Sequence, residues 1–410
     1  MKPSTLVMLT TDSNIDRRII QEADSLESAG WRITIIAMPM TNKLFSDDKR
    51  VVRLPFYPKI HKYNGKLLLF LFYRWISKYL IISSGARTLM RKIAWLVFMN
   101  VEEFYLSMFR NTVDKYKPSV FLAHDLPTLP IAFYAASQCN AKVVYDSHEL
   151  YVEQEFSALE KKKWKTLEEK YIRRCDSVIT INHLIAQELE QRYNLSDEVY
   201  VISNALPSRA KTNINIKVFH QKFGLEEQSK IVLFQGGISH NRNLEKLVES
   251  LALIQNTLVN LVILGDGPLK RLLQEITVKY NITKRVHFHQ AVPQEELLGY
   301  TSCADLGVIP YQAICLNNYY CTPNKLFEFI AAEIPILSAK LPSIENLLNE
   351  FQIGVTSDFS SSVQISKALD SLFQNEQVLT TYKRNVNKAS KEVIWEDKKF
   401  TSIFESYKCT

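Results

Sequence analysis

The stretch CTPNKLFEFIAAEIPIL, residues 321–337, contains the pattern that decides the fold. Thr322 is a favourable N-cap, and Pro323 suits the first position of a helix, where its missing N–H costs nothing. An apolar helix follows, and an apolar strand comes directly after it. Glu328 would lie about one turn inside this helix, where the plainest interpretation is a solvated acid. The alternative is a ligand site, and the choice depends on which other residues converge there.

The same alternation of strand and helix runs through the whole chain. Short apolar strands such as TLVMLT, KVVYDS, KIVLFQ and NLVILG are each followed by a helical pattern. This alternation predicts parallel sheets built from βαβ units. The pattern breaks at SNALPSRAKTNIN, where polar residues and proline replace the apolar periodicity. We therefore predict an α/β protein with two Rossmann-like, doubly wound domains that face one another across a cleft.

The length of 410 residues also favours two domains, because it exceeds what one ordinary core accommodates. The predicted first domain spans residues 1–207 and the predicted second domain spans residues 208–391. Residues 392–410 are predicted to form a C-terminal helix that crosses back to the first domain. In doubly wound sheets, ligands bind at the carboxyl ends of the strands, so the residues there are the candidates for function.

Composition and missing motifs exclude several classes of protein. With 46% hydrophobic and 23% charged residues, the chain is globular rather than disordered. Its six cysteines form no CxxC pair, which predicts reduced thiols rather than disulfides or a zinc site. The N-terminal apolar run is too short for a signal peptide, so we expect a cytoplasmic protein. No GxGxxG follows the first strand and no GxxxxGK[ST] occurs, which disfavours a nicotinamide cofactor and a P-loop ATPase. No acidic pair of the DxD type stands out either, and we expect neither a metal nor a cofactor.

Positive charge is concentrated in one window of the sequence. Residues 59–100 contain eight Lys or Arg and no Asp or Glu, while the whole chain carries +7, so the remainder carries 7 − 8 = −1. A basic patch on a nearly neutral body predicts docking to an anionic surface rather than binding to nucleic acid. The stretch KLLLFLFYRWISKYLII, residues 66–82, is too short and too charged to span a bilayer. It suits a helix in the interface of an anionic membrane, with a pair of core helices as the alternative. We predict a membrane-docking segment over residues 59–112 and a peripheral location on the inner face of the plasma membrane.

In the second half, the residues at the strand ends suit a nucleoside diphosphate. Gly236 and Gly237 end the strand KIVLFQ and allow the backbone to approach a bulky anion. Arg242 and Lys325 could meet phosphate oxygens, together with helix N-termini and the backbone N–H groups around Asn324. The turn GDGP, residues 265–268, is common in α/β proteins and carries little weight by itself.

Two further positions complete the predicted donor site. Glu328 could accept hydrogen bonds from both hydroxyls of a ribose, in a charge-assisted pair. Leu326, two residues earlier, is predicted as a further donor-binding residue. The stretch HQAV, residues 289–292, ends another strand, where backbone groups near Ala291 could pair with the edge of a nucleobase.

The order of these motifs resembles glycosyltransferases of the GT-B fold, and most of all family 4, the large retaining family that makes bacterial surface glycans. The best-matching subgroup reads PNKLFEY where this chain reads PNKLFEF, and AHDLPTLP, YDSHEL and IWEDKKFTSIFESY also fit. The resemblance implies transfer of a sugar from a nucleotide sugar, with UDP the commonest nucleotide, to a hydroxyl of a lipid-linked or oligosaccharide acceptor. It assigns Glu328 to the ribose, and Arg242 and Lys325 to the departing diphosphate. A donor phosphate oxygen takes the proton of the acceptor in this family, with retention of configuration.

The resemblance also assigns roles to residues of the first half. It places His124, at the end of VFLAH, beside the donor sugar as a catalytic residue. His148, in YDSHEL, either contributes to the acceptor side or orients a loop. Arg18 follows the first strand at the position of the family's acceptor-side loop, with an ion-pair cluster at the start of a helix as the alternative.

Two departures from the family pattern leave alternatives open. Tyr320 occupies the position where the family often has a Glu that contacts the donor sugar. Gly237-Ile238 replaces the common Gly-Arg pair, which leaves Arg242 as the later basic residue. Two alternatives therefore remain. One is an epimerase or hydrolase of the same fold, and the other is a non-catalytic subunit that binds a nucleotide sugar.

Overall fold

The computed structural model describes residues 4–40, 48–55, 100–208 and 217–408. The chain forms two compact units, and the first of them is built from three separate segments. Unit 1 consists of Met1–Ile181, Ile185–Ile202 and Asp397–Thr410, and unit 2 consists of Asn182–Leu184 and Ser203–Glu396. The sequence had suggested limits at residues 207 and 392. The C-terminal segment that belongs to unit 1 thus begins at Asp397.

A parallel sheet in the order β3-β2-β1-β4-β5-β6-β7 forms the centre of unit 1 as far as the described residues show it. The strands are β1 (Thr5–Thr10), β2 (Arg32–Ala37), β3 (Val51–Arg53), β4 (Val120–His124), β5 (Lys142–Ser147), β6 (Ser177–Thr180) and β7 (Tyr200–Val201). The central strands are buried on both faces, as their continuous apolar runs predict. The strand order reverses between β1 and β4, and ligands of such sheets bind outside this switch point.

The helices of unit 1 cover the sheet with their apolar sides. They are α1 (Arg17–Ser28), α2 (Val101–Val113), α3 (Leu129–Ser137), α4 (Ala158–Ile172), α5 (His183–Tyr193), whose first two residues count with unit 2, and the C-terminal α15 (Asp397–Ser402). Helix α1 begins directly after Asp16, whose side chain accepts a hydrogen bond from the backbone N–H of Arg18 at 2.8 Å. This cap fixes the start of α1 close to the end of β1.

Unit 2 has its own parallel sheet, in the order β10-β9-β8-β11-β12-β13. The strands are β8 (Lys230–Gln235), β9 (Val259–Leu264), β10 (Val286–His289), β11 (Leu306–Ile309), β12 (Ile336–Ala339) and β13 (Gly354–Ser357). Its helices are α6 (Val218–Phe223), α7 (Leu244–Ser250), α8 (Lys270–Lys279), α9 (Gln294–Thr301), α10 (Leu316–Tyr320), α11 (Asn324–Ala331), α12 (Pro342–Phe351), α13 (Ser362–Gln374) and α14 (Glu376–Glu392). The order reverses between β8 and β11, so the turn after β8 lies at the switch point of this sheet.

The two predicted doubly wound sheets are confirmed, and the helix that follows Pro323 is confirmed with a shifted start. Pro323 itself is the N-cap, with an extended backbone, and α11 begins one residue later, at Asn324. The start shifts because the extended conformation of Pro323 places it outside the helix, so that Thr322 precedes the cap.

The predicted membrane-docking segment lies mostly outside the described residues, which resume at Asn100. Within the described part of the chain, no helix has both the length and the apolar character needed to cross a bilayer. The interfacial helix therefore stays a prediction.

Candidate functional site

Two glycine-containing turns pack against each other at the switch point of unit 2. The backbone N–H of Gly236 donates to the carbonyl of Leu264, and the N–H of Ile238 donates to the carbonyl of Asp266, both at 2.9 Å. A Cβ atom on Gly265 would lie 2.1 Å from the carbonyl oxygen of Gly236. The GDGP turn therefore holds the QGG turn in place. Gly237 differs, since a Cβ atom there would meet nothing within 4 Å.

Two basic side chains, those of Lys325 and Arg242, lie near the QGG turn. The side chain of Lys325 is buried, and its Nζ lies 4.0 Å from the ring centroid of Phe234 and 4.9 Å from that of Tyr311. Among the described residues, Nζ has no hydrogen-bond partner. The guanidinium carbon of Arg242 lies 3.7 Å from the Tyr311 centroid, so one aromatic ring contacts both basic groups. Burial, with the charge of Arg242, lowers the pKa of Lys325 well below its ordinary value.

Glu328 lies in a buried polar network rather than on a solvated surface. It is 5% exposed, and its carboxylate accepts hydrogen bonds from the amide of Gln235 at 2.5 Å and from that of Gln294 at 3.4 Å. Gln235 in turn accepts from the hydroxyl of Thr301 at 2.8 Å. The solvated-acid interpretation of Glu328 is therefore excluded. The acid is held at the end of β8 by Gln235 of that strand and by Gln294 of α9.

The other predicted donor residues divide into two groups. Asn324 is half-buried at the first position of α11, and Ala291 is exposed two residues beyond β10, so both can be reached by a ligand. The prediction for Leu326 needs correction. Its side chain is fully buried in the core, and its N–H donates to the carbonyl of Pro323 at 2.9 Å, which occupies that donor.

In unit 1, the carboxylate of Asp146 at the end of β5 gathers three basic side chains. Arg18 donates to it from Nε at 2.9 Å and from a terminal nitrogen at 3.0 Å. Nε2 of His148 lies 2.9 Å from Asp146 Oδ2, and Nδ1 of His124 lies 3.3 Å from the same oxygen. The two imidazoles are also 3.1 Å apart between these nitrogens. Glu22 of α1 completes the cluster, 2.9 Å from Arg18.

The two imidazoles have opposite pKa shifts. Burial lowers the pKa of His124 to about 4. Burial would also lower the pKa of His148, but the carboxylates of Asp125 and Asp146 outweigh it and raise the pKa to about 10. His148 is therefore the imidazolium of the pair, and its Nε2–H donates inward. Burial likewise raises the pKa of Glu22 well above its ordinary value.

This arrangement corrects two predictions for unit 1. The side chain of His124 is fully buried, and its Nε2 faces Glu22 at 3.8 Å, so His124 does not offer a ring nitrogen to a ligand here. The side chain of Arg18 is 1% exposed and also donates to the carbonyl of Ile202, so an acceptor-side contact is replaced by a buried ion pair. The reason is the same in both cases, because Asp146 draws both side chains inward. His148, with 16% of its side chain exposed, reaches the surface.

The nitrogens of His124 and His148 and a carboxylate oxygen of Asp146 lie within 4.8 Å of one another, which is close enough for a shared metal ion. Both carboxylate oxygens already accept hydrogen bonds from Arg18. In this arrangement the guanidinium occupies the place at the carboxylate that a cation would need.

Sequence reasoning missed several residues of both sites. Gln235 and Asp146 lie within the quoted motifs QGG and YDSHEL, so a polar residue in the last or next-to-last strand position was the available signal. Tyr311 follows β11 at the switch point and could have been found in the same way. Glu22 lies within an ordinary amphipathic helix, and no local pattern distinguishes it.

Family profiles match both halves of the chain. The family described as "Glycosyl transferase 4-like domain" matches residues 15–205, and the family described as "Glycosyl transferases group 1" matches residues 215–392. The chain belongs to the GT-B glycosyltransferases of the family 4 type. The first match includes Arg18, His124 and His148, and the second includes Arg242, Lys325 and Glu328.

Individual relatives agree with this assignment. A chitobiosyldiphosphodolichol beta-mannosyltransferase of Candida albicans is 23% identical over 190 residues, which is 44% of this chain and 41% of the relative. The chain spans about two fifths of the length of the curated relatives it matches.

Solved structures share the fold over nearly the whole chain. Sucrose-phosphate synthase from Thermosynechococcus elongatus has a TM-score of 0.72 at 15% identity, with 98% of each chain covered. The Anabaena protein HepE in complex with UDP-glucose has a TM-score of 0.68 at 13% identity, with 98% of this chain and 99% of HepE covered.

Proposed function

We propose that this glycosyltransferase moves a sugar from a UDP-sugar to a hydroxyl of a lipid-linked or oligosaccharide acceptor, with retention of configuration, in the synthesis of a bacterial surface polysaccharide. The observation that carries the donor assignment is the buried amine of Lys325 beside Arg242 and the QGG turn. A buried amine without a hydrogen-bond partner is costly, and the oxygens of a diphosphate would supply one and favour its protonated form. The exposed Gly237 leaves room for such an anion.

The carboxylate of Glu328 suits the ribose of the same donor. Two amide groups already fix its orientation, and a carboxylate has enough lone pairs to accept hydrogen bonds from a diol as well. UDP-glucose in the structure of the Anabaena protein HepE supports a UDP-sugar as the first donor to test.

The proposed reaction needs no nucleophile from the protein. The bond between the anomeric carbon and the diphosphate breaks, and its electron pair leaves on the phosphate oxygen. The acceptor oxygen bonds to the same face of the anomeric carbon, and its proton passes to the phosphate oxygen. Arg242 and Lys325 stabilise the charge that develops on the diphosphate. We propose no metal for this route.

A donor and acceptor assay tests the proposed function. UDP-, GDP- and dTDP-sugars are incubated with and without a bacterial lipid extract, and the released nucleotide is measured with and without EDTA. We expect release from a UDP-sugar that depends on the extract and persists in EDTA. Release without the extract would favour the hydrolase or epimerase, and binding without release would favour the non-catalytic subunit. Arg242→Ala should reduce release, while Arg271→Ala, at an exposed arginine of α8 that pairs with Glu275, serves as the matched control.

Docking to the inner face of the plasma membrane is the second part of the proposal, and it is supported by the charge pattern of residues 59–100. In flotation with liposomes we expect binding that needs anionic lipid and weakens with salt, since each basic residue near anionic lipid contributes about 1 kcal/mol. Exchange of Lys78, Arg87, Arg91 and Lys92 for Glu should abolish flotation. A wild-type protein that stays unbound at low salt would leave the core-helix alternative.

A further inference from the structure

Asp125, the residue directly after β4, has a backbone conformation that is nearly restricted to glycine. Its φ is 62° and its ψ is 159°. Side chains in this region are strained, and residues held there are concentrated at functional sites. The backbone around Asp125 is held from both sides. Its N–H donates to the carbonyl of Asp146 at 3.0 Å, and its carbonyl accepts from the N–H and the hydroxyl of Thr128 at 3.2 and 3.0 Å.

The strained backbone directs the carboxylate of Asp125 toward His148. One carboxylate oxygen accepts from the backbone N–H of His148 at 3.3 Å, and the other lies 3.8 Å from its Nδ1. The side chain of Asp125 is 24% exposed and that of His148 is 16% exposed, whereas those of Asp146 and Glu22 are fully buried. Asp125 and His148 are thus the members of this cluster that a ligand can reach.

The charges around this pair favour an uncharged ligand. His148 interacts electrostatically with Asp12 in the loop after β1 as well as with Asp125, and Asp125 also experiences the charge of Glu149. Around this pair, the carboxylates of Asp12, Asp125, Asp146 and Glu149 outnumber the cations His148 and Arg18, so they repel an anion and offer many hydrogen-bond acceptors. Hydroxyl groups of a neutral sugar are the donors that match them.

We propose that Asp125 binds a hydroxyl group of an uncharged sugar on the acceptor, with His148 beside it as the group that holds the carboxylate in place. The proposal rests on the proposed function and deepens it, because it names the acceptor class and the residue that contacts it. The backbone strain at Asp125 is the observation that sets this residue apart from the buried acids of the cluster. A fold alone would be served as well by glycine at this position.

The test is binding of neutral and anionic n-octyl glycosides, below their micellar concentrations, to the full chain in the presence of UDP. The neutral probes are the glucoside, galactoside, mannoside and N-acetylglucosaminide, and the anionic probe is the glucuronide. We expect at least one neutral probe to bind about 10-fold more tightly than the glucuronide, which corresponds to about 1.4 kcal/mol. Asp125→Asn should weaken the affinity for the neutral probe by a similar factor and leave the affinity for UDP unchanged. Absence of binding by every neutral probe, an equally tight glucuronide, or an Asn variant that binds like the wild type would overturn the proposal.

A second variant separates ligand binding from a role in the fold. Asp125→Gly removes both the strain and the carboxylate, so we expect a melting temperature that is unchanged or raised by about 1–4 °C, together with lost glycoside binding. The control is Asn281→Gly, which relieves a positive φ of 54° at an exposed site of unit 2 and should leave glycoside binding intact. A lowered melting temperature for Asp125→Gly would assign the residue to the fold instead. Failure of the wild type to bind UDP would count against the proposed donor and not against this acceptor site, since glycoside binding is measured without transfer.

Discussion

At the scale of single residues, the buried cluster of unit 1 shows how one carboxylate sets the charge of two neighbouring imidazoles. Burial would raise the pKa of Asp146, but the charges of Arg18 and His148 outweigh it and hold the pKa well below its ordinary value. His148 can then remain an imidazolium while His124, a few ångströms away, is neutral. The fully buried His124 lies among the side chains of Asp146, Glu22, Arg18 and His148, and burial is the main reason that its neutral form is favoured.

The neutral state of His124 predicts a loss of stability in acid. Its pKa in the folded chain is about 4, below the ordinary value of 6.5, so the folded state binds this proton less well than the unfolded state. The stability contributed by neutral His124 is therefore present above pH ~6.5 and is lost as the pH falls toward 4. The loss by pH ~5 is on the order of 2 kcal/mol. In urea titrations, His124→Asn should lose less unfolding free energy than the wild type between pH ~7 and pH ~5. Equal losses in the two proteins would contradict this role of His124.

At the scale of elements, the turns after β8 and β9 contain two kinds of glycine. Gly265 is needed for the fold, whereas Gly237 would be needed only to let a ligand approach. Gly265→Ala places Cβ 2.1 Å from a backbone oxygen at a φ of 147°, and we expect a cost of about 2–5 kcal/mol in unfolding free energy. Gly237→Ala meets no atom within 4 Å and should leave the melting temperature nearly unchanged. If a diphosphate approaches this backbone, Gly237→Ala should nevertheless weaken the affinity for UDP, as measured by calorimetry. Wild-type affinity for UDP in that variant would remove Gly237 from the donor site.

The same elements show how far sequence reasoning reached. Apolar runs and helical periodicity predict the strands and helices because those patterns are local, and QGG and PNKLFEF predict the turn after β8 and helix α11 that the structure contains. The side-chain partners were less accessible. Arg18 and Asp146 meet across 128 positions of the chain, and Gln235 and Glu328 meet across 93, so their contacts depend on strand order rather than on spacing. The inward orientation of His124 follows from such a contact, and no motif could have shown it.

At the scale of the whole molecule, the last residues of the chain are part of the core of unit 1. The hydroxyl of Ser25 donates to Asp397 at 2.5 Å, and the rings of Trp31 and Phe404 pack edge to face at 6.5 Å. Phe404 is fully buried, so the C-terminal segment contributes to the stability of unit 1 rather than to that of the unit that precedes it in sequence.

This assignment predicts a selective effect of Phe404→Ala. Truncation of a buried Phe costs about 3–5 kcal/mol, and the loss should appear in unit 1. In hydrogen exchange, amides of β1 and β4 should lose protection while those of β8 and β9 keep it. The matched control is Phe359→Ala, a buried Phe of unit 2, which should show the reverse pattern. Equal loss in both units after either substitution would mean that the units do not unfold separately.

The central claim is that unit 2 binds a nucleoside diphosphate through the buried amine of Lys325, and calorimetry of UDP and uridine with Lys325→Met tests it most directly. Burial and Arg242 lower the pKa of Lys325, and a bound diphosphate would raise it, so UDP binding should take up protons and weaken as the pH rises. Met has a similar length and no charge. We expect the substitution to weaken the affinity for UDP by about 10- to 100-fold, which corresponds to about 1.5–3 kcal/mol. Uridine should bind as before, and the proton uptake, seen as a difference in heat between buffers, should disappear. Equal weakening of UDP and uridine, or proton uptake that persists in the variant, would contradict the claim.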